Sequence, residues 1–307
     1  MKLKKKFIVF PVALILTVAA TVSAFAQTRY FEDGYYYSFV NNDNLALVGW
    51  DYRTSVLPVP DNLNSRPVTS IENNAFSEDE NLTGIDFTNA TNLHAIGLYS
   101  FYNCTNISEK IVFPENVYSI GDCAFQGCTS VPEVEFQADL YCIPMQCFYD
   151  CTSLEKVTLN DGLEQILNYA FAKCPALTEV TIPASVTYIA ESAFQDDEGL
   201  TLGVYYDSYG YTYAREHNIP FVVLEKFLLG DVDGVDGVNI NDVTAIQSHL
   251  AELKTVEGVY LLAADANQDD VVDISDATAI QMKLAEYELP YPIGQYVTKE
   301  IVTQENN

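Results

Sequence analysis

Apolar residues recur along the middle of this chain at a nearly fixed spacing. Phe76, Phe101, Phe125, Phe148, Phe171 and Phe194 lie 25, 24, 23, 23 and 23 residues apart. Five residues before each stands an isoleucine: Ile71, Ile96, Ile120, Ile143, Ile166 and Ile189. Three residues earlier comes Val68, Leu93, Val117, Leu140, Leu163 or Val186, and six residues after each phenylalanine comes Leu82, Ile107, Val131, Leu154, Leu177 or Leu200. Four apolar columns held in register through six copies define an internal repeat. A unit of this length cannot bury its own apolar face, so the copies must stack into a solenoid. In the copy LEKVTLNDGLEQILNYAFAKCPA, the alternation over Val157, Thr158 and Leu159 predicts a half-buried strand. Asn160, Asp161 and Gly162 then predict a turn, and Ile166, Ala170 and Phe171 have the spacing of one or two helical turns.

Copies such as VTYIAESAFQDDEGLT and VYSIGDCAFQGCTSVPEVEF resemble the BspA-like leucine-rich repeat, with its Ile…Ala-Phe…Cys…Leu consensus. The resemblance covers residues 68–224 and implies a capped α/β solenoid of about six 23-residue repeats. Residues 27–67 are read as the N-terminal cap, because GYYYSFVNNDNLALVGW, from Gly34, resembles the hairpin that opens such arrays. YTYAREHNIPFVVL, from Tyr211, resembles their closing segment. Caps are required because the end repeats would otherwise expose their core. Cys104, Cys128, Cys151 and Cys174 all follow the repeat phenylalanine by three residues and are expected to stack inside as small hydrophobes. Cys123, Cys142 and Cys147 follow no column, which leaves a disulfide among them open. No local signature pairs a cysteine with His94 or His217 for catalysis.

The pattern changes beyond the repeats. Residues 265–276 read DANQDDVVDISD, with acidic or amide side chains at positions 1, 3, 5, 9 and 12, and residues 231–242 read DVDGVDGVNIND. Nearly identical segments follow the two loops: VTAIQSHLAE from Val243 and ATAIQMKLAE from Ala277. Calcium is a hard cation taking six to eight oxygens, which an EF-hand loop supplies from positions 1, 3, 5, 7, 9 and 12. In the second loop these are Asp265, Asn267, Asp269, the carbonyl of Val271, Asp273 through water, and Asp276. The first loop offers Asp231, Asp233, Asn239 and Asp242, with Asp236 as a displaced candidate. Val235 at its fifth position has no side-chain oxygen, so the first site is expected to be the weaker of two. Asp236 and Asp270 stand where the motif has glycine, at a turn that requires positive φ. Val272 is expected to point inward, Ile280 and Leu284 to share one helix face, and neither loop to have an entering helix.

The phrases LLGDVDG, DVTAIQSHLAEL, AADANQDDVVDISDATAIQMKLAE and YPIG, over residues 228–295, resemble a type I dockerin. That resemblance implies a small all-α domain folded around two calcium ions, binding a cohesin module of a scaffoldin within a cellulosome. The spacing of the residues alone implies only metal. Two near-identical helices allow two docking modes related by half a turn. By position in the motif, Ile240, Asn241, Gln247 and Ser248 would face the cohesin in one mode, and Ile274, Ser275, Gln281 and Met282 in the other.

Residues 1–26 carry Lys2, Lys4, Lys5 and Lys6, an apolar run over 7–22, and Ala24, Phe25 and Ala26, the layout of a secretory signal peptide. Its removal would take the formal charge from −28 to −32 and leave an extracellular chain without membrane insertion. So acidic a protein does not suit nucleic acid and does suit divalent cations. Residues 225–227 are read as a short, stiff linker without Pro, Gly or Ser, and the polar residues 296–307 as a disordered tail. No G-x-S-x-G, H-E-x-x-H or P-loop is present, and signal, solenoid and dockerin-like segment occupy nearly every residue, so no enzyme is expected. The sequence therefore reads as a non-catalytic, secreted cellulosome component whose solenoid contacts a further protein, a cell surface or plant cell-wall material. Outward strand positions such as Glu133, Glu135, Lys156, Thr158, Glu179 and Thr181 vary between copies, as a binding face or a merely solvated one would. The alternative is a carbohydrate-binding or carbohydrate-active protein, prompted by Tyr205, Tyr206, Tyr209, Tyr211 and Tyr213 near the closing cap.

Overall fold

Each repeat forms its backbone hydrogen bonds with the coils beside it, and the chain winds as a β-solenoid. The structure is a computed structural model describing residues 29–51, 54–138 and 140–301; the expected signal peptide lies outside these residues. The chain opens with an antiparallel meander of β1 (Tyr30–Glu32), β2 (Tyr35–Phe39) and β3 (Leu45–Trp50), followed by β4 (Val56–Pro58), β5 (Asn62–Leu63) and β6 (Arg66–Ile71). Each later coil then contributes one longer and one shorter strand. These are β7 (Gly84–Asp86), β8 (Ala95–Ile96), β9 (Ile111–Phe113), β10 (Ser119–Ile120), β11 (Glu133–Phe136), β12 (Cys142–Ile143), β13 (Lys156–Thr158), β14 (Gln165–Ile166), β15 (Glu179–Thr181), β16 (Tyr188–Ile189) and β17 (Thr201–Tyr205). Odd-numbered strands from β9 to β17 pair in parallel as one wall, and β8–β10 and β12–β14–β16 pair in parallel as the other. Helix α1 (Tyr209–Glu216) and β18 (Phe221–Leu228) close the array.

The helical turns expected around Ile166, Ala170 and Phe171 do not form; the described repeats contain no α-helix, and the solenoid is β rather than α/β. In the first five copies the residues two before and two after the repeat phenylalanine take positive φ, as at Tyr99 (53°) and Asn103 (54°), Gln146 (55°) and Asp150 (60°), and Tyr169 (58°) and Lys173 (60°). A left-handed residue on each side forbids a continuous helix. Alternate amides across the turn reach the next coil instead: Gln146 N to Asn168 O (3.0 Å), Phe148 N to Ala170 O (2.8 Å) and Asp150 N to Ala172 O (3.0 Å). The same triplet of bonds joins the preceding coils.

This ladder holds the phenylalanines in one stack. Successive rings from Phe76 to Phe194 have centroids 5.0 to 5.6 Å apart. Phe113 and Phe136 pack edge-on against Phe125 and Phe148. Cys104, Cys128, Cys151 and Cys174 are wholly buried, and each thiol donates to the phenylalanine carbonyl of the coil before, as in Cys128 Sγ to Phe101 O at 3.2 Å. Burial pushes these thiols up, Cys104 to about 12, which leaves them inert. All seven cysteines, Cys123, Cys142 and Cys147 included, are free.

The closing segment seals the last coil. Ser208 caps α1 by accepting from Tyr211 N at 3.2 Å, and Tyr211 and Tyr213 are buried against the core, Tyr213 6.4 Å from the Phe194 ring. These two tyrosines are therefore not sugar platforms; Tyr206 and Tyr209 are exposed.

A second apolar core lies beyond, built from Phe227, Leu229, Val243, Ile246, Val256, Ala263, Ala277, Ile280 and Ile293. It is enclosed by α2 (Ile240–Leu250), α3 (Val259–Ala264) and α4 (Ile274–Leu284). Three expectations change here. Residues 225–227 are not a linker, because β18 runs unbroken from Phe221 to Leu228. Residues 296–307 are not a free tail throughout, because β19 (Tyr296–Ile301) pairs antiparallel with β18 from Leu228 to Val223. This covers an edge that would otherwise be exposed, and it means the C-terminal unit is not all-α. Among the described residues no helix is long and apolar enough to cross a membrane.

One buried carboxyl lends the solenoid a pH dependence. Asp197 is 8% exposed; it accepts from Cys174 N at 2.6 Å, while its other oxygen has no hydrogen-bond partner among the described residues. Burial raises its pKa to about 7. A raised native pKa means stability is greatest with the group protonated and declines as pH rises from about 4 through 7. Asp197→Asn keeps an acceptor for Cys174 N without the charge. In urea titrations the variant's advantage over the parent is expected to grow between pH 4 and 7 and to level off above.

Candidate metal and docking site

The two loops beyond the solenoid fold alike because the same side chains organise them. Asn239 and Asp273 are the N-caps of α2 and α4, with φ of −148° and −142°, and each helix carries a reciprocal capping box with Asp242 or Asp276. Asp242, fully buried, accepts from Val232 N (2.7 Å) and Asp233 N (3.0 Å) through one oxygen and from Asn239 N (2.7 Å) through the other. Asp276 repeats the arrangement with Asn267 N (3.0 Å) and Asp273 N (2.9 Å). Burial pushes both carboxyls up, and these backbone amides pull the other way. The turns match as well. Positive φ occurs at the fourth position, Gly234 (73°) and Gln268 (60°), and at the sixth, Asp236 (58°) and Asp270 (67°). Aspartate thus adopts the conformation for which the motif uses glycine.

In the first loop, one carboxylate oxygen from each of Asp231, Asp233 and Asp242 lies within 4.8 Å of the others. Three hard anionic oxygens this close suit a divalent cation, and the N-cap Asn239 stands beside them. Val235 is 54% exposed and offers no side-chain oxygen to the cluster.

The second loop is differently engaged. Asp265 accepts from Asp269 N (3.0 Å) and Asp270 N (3.1 Å), and Asn267 donates to Asp269 (3.0 Å) and to Ser275 Oγ (2.8 Å). Lys299, from β19, brings its ammonium 2.6 Å from Asp270 and 3.7 Å from Asp265. Nothing local in the sequence marks this lysine; strand pairing delivers it. Val271 is 57% exposed, Asp273 serves as cap, and Val272 is half-buried against the second core as expected. Unlike the first loop, this one has an entering helix: α3 runs directly into it, with Asp265 as C-cap.

The two helices bury matching faces and expose matching ones. Ile240 and Ile274 are each 59% exposed, Asn241, Gln247, Ser275 and Gln281 are exposed, Ser248 is half-buried, and Met282 is 38% exposed. Ile280 and Leu284 share a face of α4 as expected, but only Ile280 is buried; Leu284, at the end of the helix, is exposed, as are Leu250 and Leu253. The three leucines add exposed apolar residues to those named from the motif.

The outward strand positions of the solenoid are engaged with one another. Lys110 bridges Glu133 (3.0 Å) and Glu135 (2.6 Å) and holds both carboxyls below the usual glutamate range, and Lys156 lies 3.4 Å from Glu133. Gly84, the first residue of β7, is buried.

Comparison with known proteins bears on the repeats. The sequence model of the BspA type leucine rich repeat region matches residues 69–201 in 6 copies. Residues 69–201 are BspA-type leucine-rich repeats. Similar solved structures include a leucine rich cell surface protein from Faecalibacterium prausnitzii, at 22% identity and TM-score 0.48, covering 61% of this chain and 56% of that one. Leucine-rich repeat proteins from Bacteroides ovatus (23%, TM-score 0.42, 57% and 55%) and Eubacterium ventriosum (25%, TM-score 0.40, 53% and 50%) are also similar. The chain spans about half the length of each. No curated protein matches it.

The hydrogen bonds around Asp242 make it a structural residue irrespective of metal. Asp242→Ala strips the acceptor from three backbone amides and is expected to cost about 2–4 kcal/mol, against less than about 1 kcal/mol for the half-exposed Asp233→Ala. Urea unfolding in the presence of chelator, followed by circular dichroism, measures both.

Proposed function

We propose that this protein is a secreted, non-catalytic interaction protein with two binding units. In this reading the C-terminal unit is a calcium-dependent module of the dockerin kind that binds a cohesin on a scaffoldin, within a cellulosome. The BspA-type repeats mediate a second contact with a protein or surface. One observation carries the proposal: two loop-helix units with the same caps, turns and exposed apolar residues, in the first of which three carboxylate oxygens converge within 4.8 Å. Asp231, Asp233, Asn239 and Asp242 would hold calcium in the first loop. Asp265, Asn267, Asp269, the Val271 carbonyl, Asp273 and Asp276 would hold it in the second. Bound calcium would neutralise carboxylates that otherwise repel one another and fix each loop against its helix. Ile240 and Ile274 then present equivalent apolar contacts, with Met282 as an adaptable neighbour. The N-terminal layout of residues 1–26 supports export.

Calorimetric titration of the chain from residue 27 against a panel of cohesin domains tests the docking reading. Binding is expected in calcium and not in chelator. Ile240→Asp alone should weaken it little, because the second mode remains, whereas Ile240→Asp with Ile274→Asp should abolish it. Binding indifferent to chelator, or the absence of binding to every cohesin, would sink the proposal.

Lys299 sets the balance between the two loops. A fixed ammonium near Asp265 opposes a second cation there. Lys299→Met is expected to tighten the second-loop calcium constant by about threefold to tenfold and to leave the first unchanged. Two-site calcium calorimetry reads both constants.

A further inference from the structure

On the edge of the solenoid formed by the phenylalanine turns, the residue directly after each phenylalanine forms a column. From the second coil it reads Tyr102, Gln126, Tyr149, Ala172 and Gln195. Ala172 interrupts a line of long side chains. Neighbouring rungs of a sheet lie about 4.8 Å apart, so the gap between Tyr149 and Gln195 is roughly 10 Å wide. A cleft of about 310 Å³ occupies it, with Ala172 in its lining. Tyr149 and Tyr169 form two perpendicular walls, ring centroids 6.2 Å apart and planes at 89°. Gln146, Gln195 and Asp196 border the opening, and the Lys173 ammonium rests over the Tyr149 ring at 5.1 Å.

These groups narrow the chemistry of an occupant. Tyrosine rings offer flat apolar contact, while two amides, a carboxylate and an ammonium offer donors and acceptors around it. A wholly apolar ligand would strip water from those polar groups without replacing their hydrogen bonds. An anionic ligand would meet a chain of formal charge −28, and the local cation, Lys173, already has Asp150 and Asp196 as its electrostatic neighbours. A ligand with a face of C–H groups and a rim of hydroxyls satisfies both requirements.

We propose that this cleft is a subsite for one uncharged pyranose unit of a polysaccharide, stacked on Tyr169 and hydrogen-bonded by Gln146, Gln195 and Asp196. The proposal deepens the reading of the solenoid as an interaction unit and rests on it, but not on calcium or cohesin. Tyr99 and Tyr102 form a similar edge-on pair at 5.6 Å two coils away, next to Gln126 rather than an alanine, and provide an internal control.

Affinity electrophoresis of the chain from residue 27, through gels containing galactomannan, xyloglucan, mixed-linkage glucan or the charged polygalacturonate, tests it. Retardation is expected in at least one uncharged gel and not in polygalacturonate. Tyr169→Ala should weaken it about tenfold or more. Ala172→Gln, which refills the gap with the residue already found at 126 and 195, should do the same, and Tyr102→Ala should not. Tyr169 lies outside the core, so its loss leaves the fold intact, and a thermal melt of each variant verifies this. Retardation that survives both Tyr169→Ala and Ala172→Gln would keep the solenoid as the interaction unit and overturn the cleft. Retardation by polygalacturonate alone, or by none of the gels, would overturn the sugar assignment outright.

Discussion

The structure depends on amide groups that bond forward to the next coil. In the first five phenylalanine turns a left-handed residue stands on each side of the phenylalanine, and alternate amides, the phenylalanine's own among them, find acceptors in the neighbouring repeat. A helix of the same length would have satisfied its own amides and left the coils to associate through side chains alone. With bonds between coils the spacing is set by the ladder, and the phenylalanine rings are held in one continuous stack. The thiols three residues on then fall beside the carbonyls of the coil before. Burial of the apolar columns and backbone pairing thus reinforce each other, and no coil is stable without its neighbours.

The same dependence governs the ends. The opening meander and α1 cover the first and last coils, with Tyr211 and Tyr213 serving as lids. β18 then passes from the solenoid into the second core without a break, and β19 returns to cover its free edge. The two units are therefore joined by a shared strand pair, and a residue near the C-terminus, Lys299, is brought to the second loop by that pairing.

In the C-terminal unit Asp242 and Asp276 hold the start of each loop to the start of its helix. They also occupy the twelfth position of the proposed calcium loops, so in that proposal local folding and metal binding would be coupled through one side chain. On the solenoid, by contrast, surface character is set one residue per rung. The outward strand columns neutralise one another through Lys110, Glu133, Glu135 and Lys156, whereas on the turn edge a cleft lies between Tyr149 and Gln195, where the column carries the buried Ala172.

Much of this was legible in the chain. The phenylalanine, isoleucine and cysteine columns, the need for caps, the two loops and their positive-φ aspartates all follow from local spacing, because each depends on residues a few positions apart or on a strict period. The shape of the phenylalanine turn was not, since apolar residues four and five apart suit a helix as well as a coil whose amides bond elsewhere. Nor were the continuity of β18, the pairing of β19, the approach of Lys299 to Asp265 or the gap over Ala172. Each arises from residues distant in sequence meeting across coils or across a sheet edge. The sequence by itself determined that the chain must stack repeats and carry two oxygen-rich loops, because periodic burial and ligand spacing are local properties. Only the tertiary structure decided which surfaces meet and which stay open, because that is set by the direction in which backbone hydrogen bonds leave each turn.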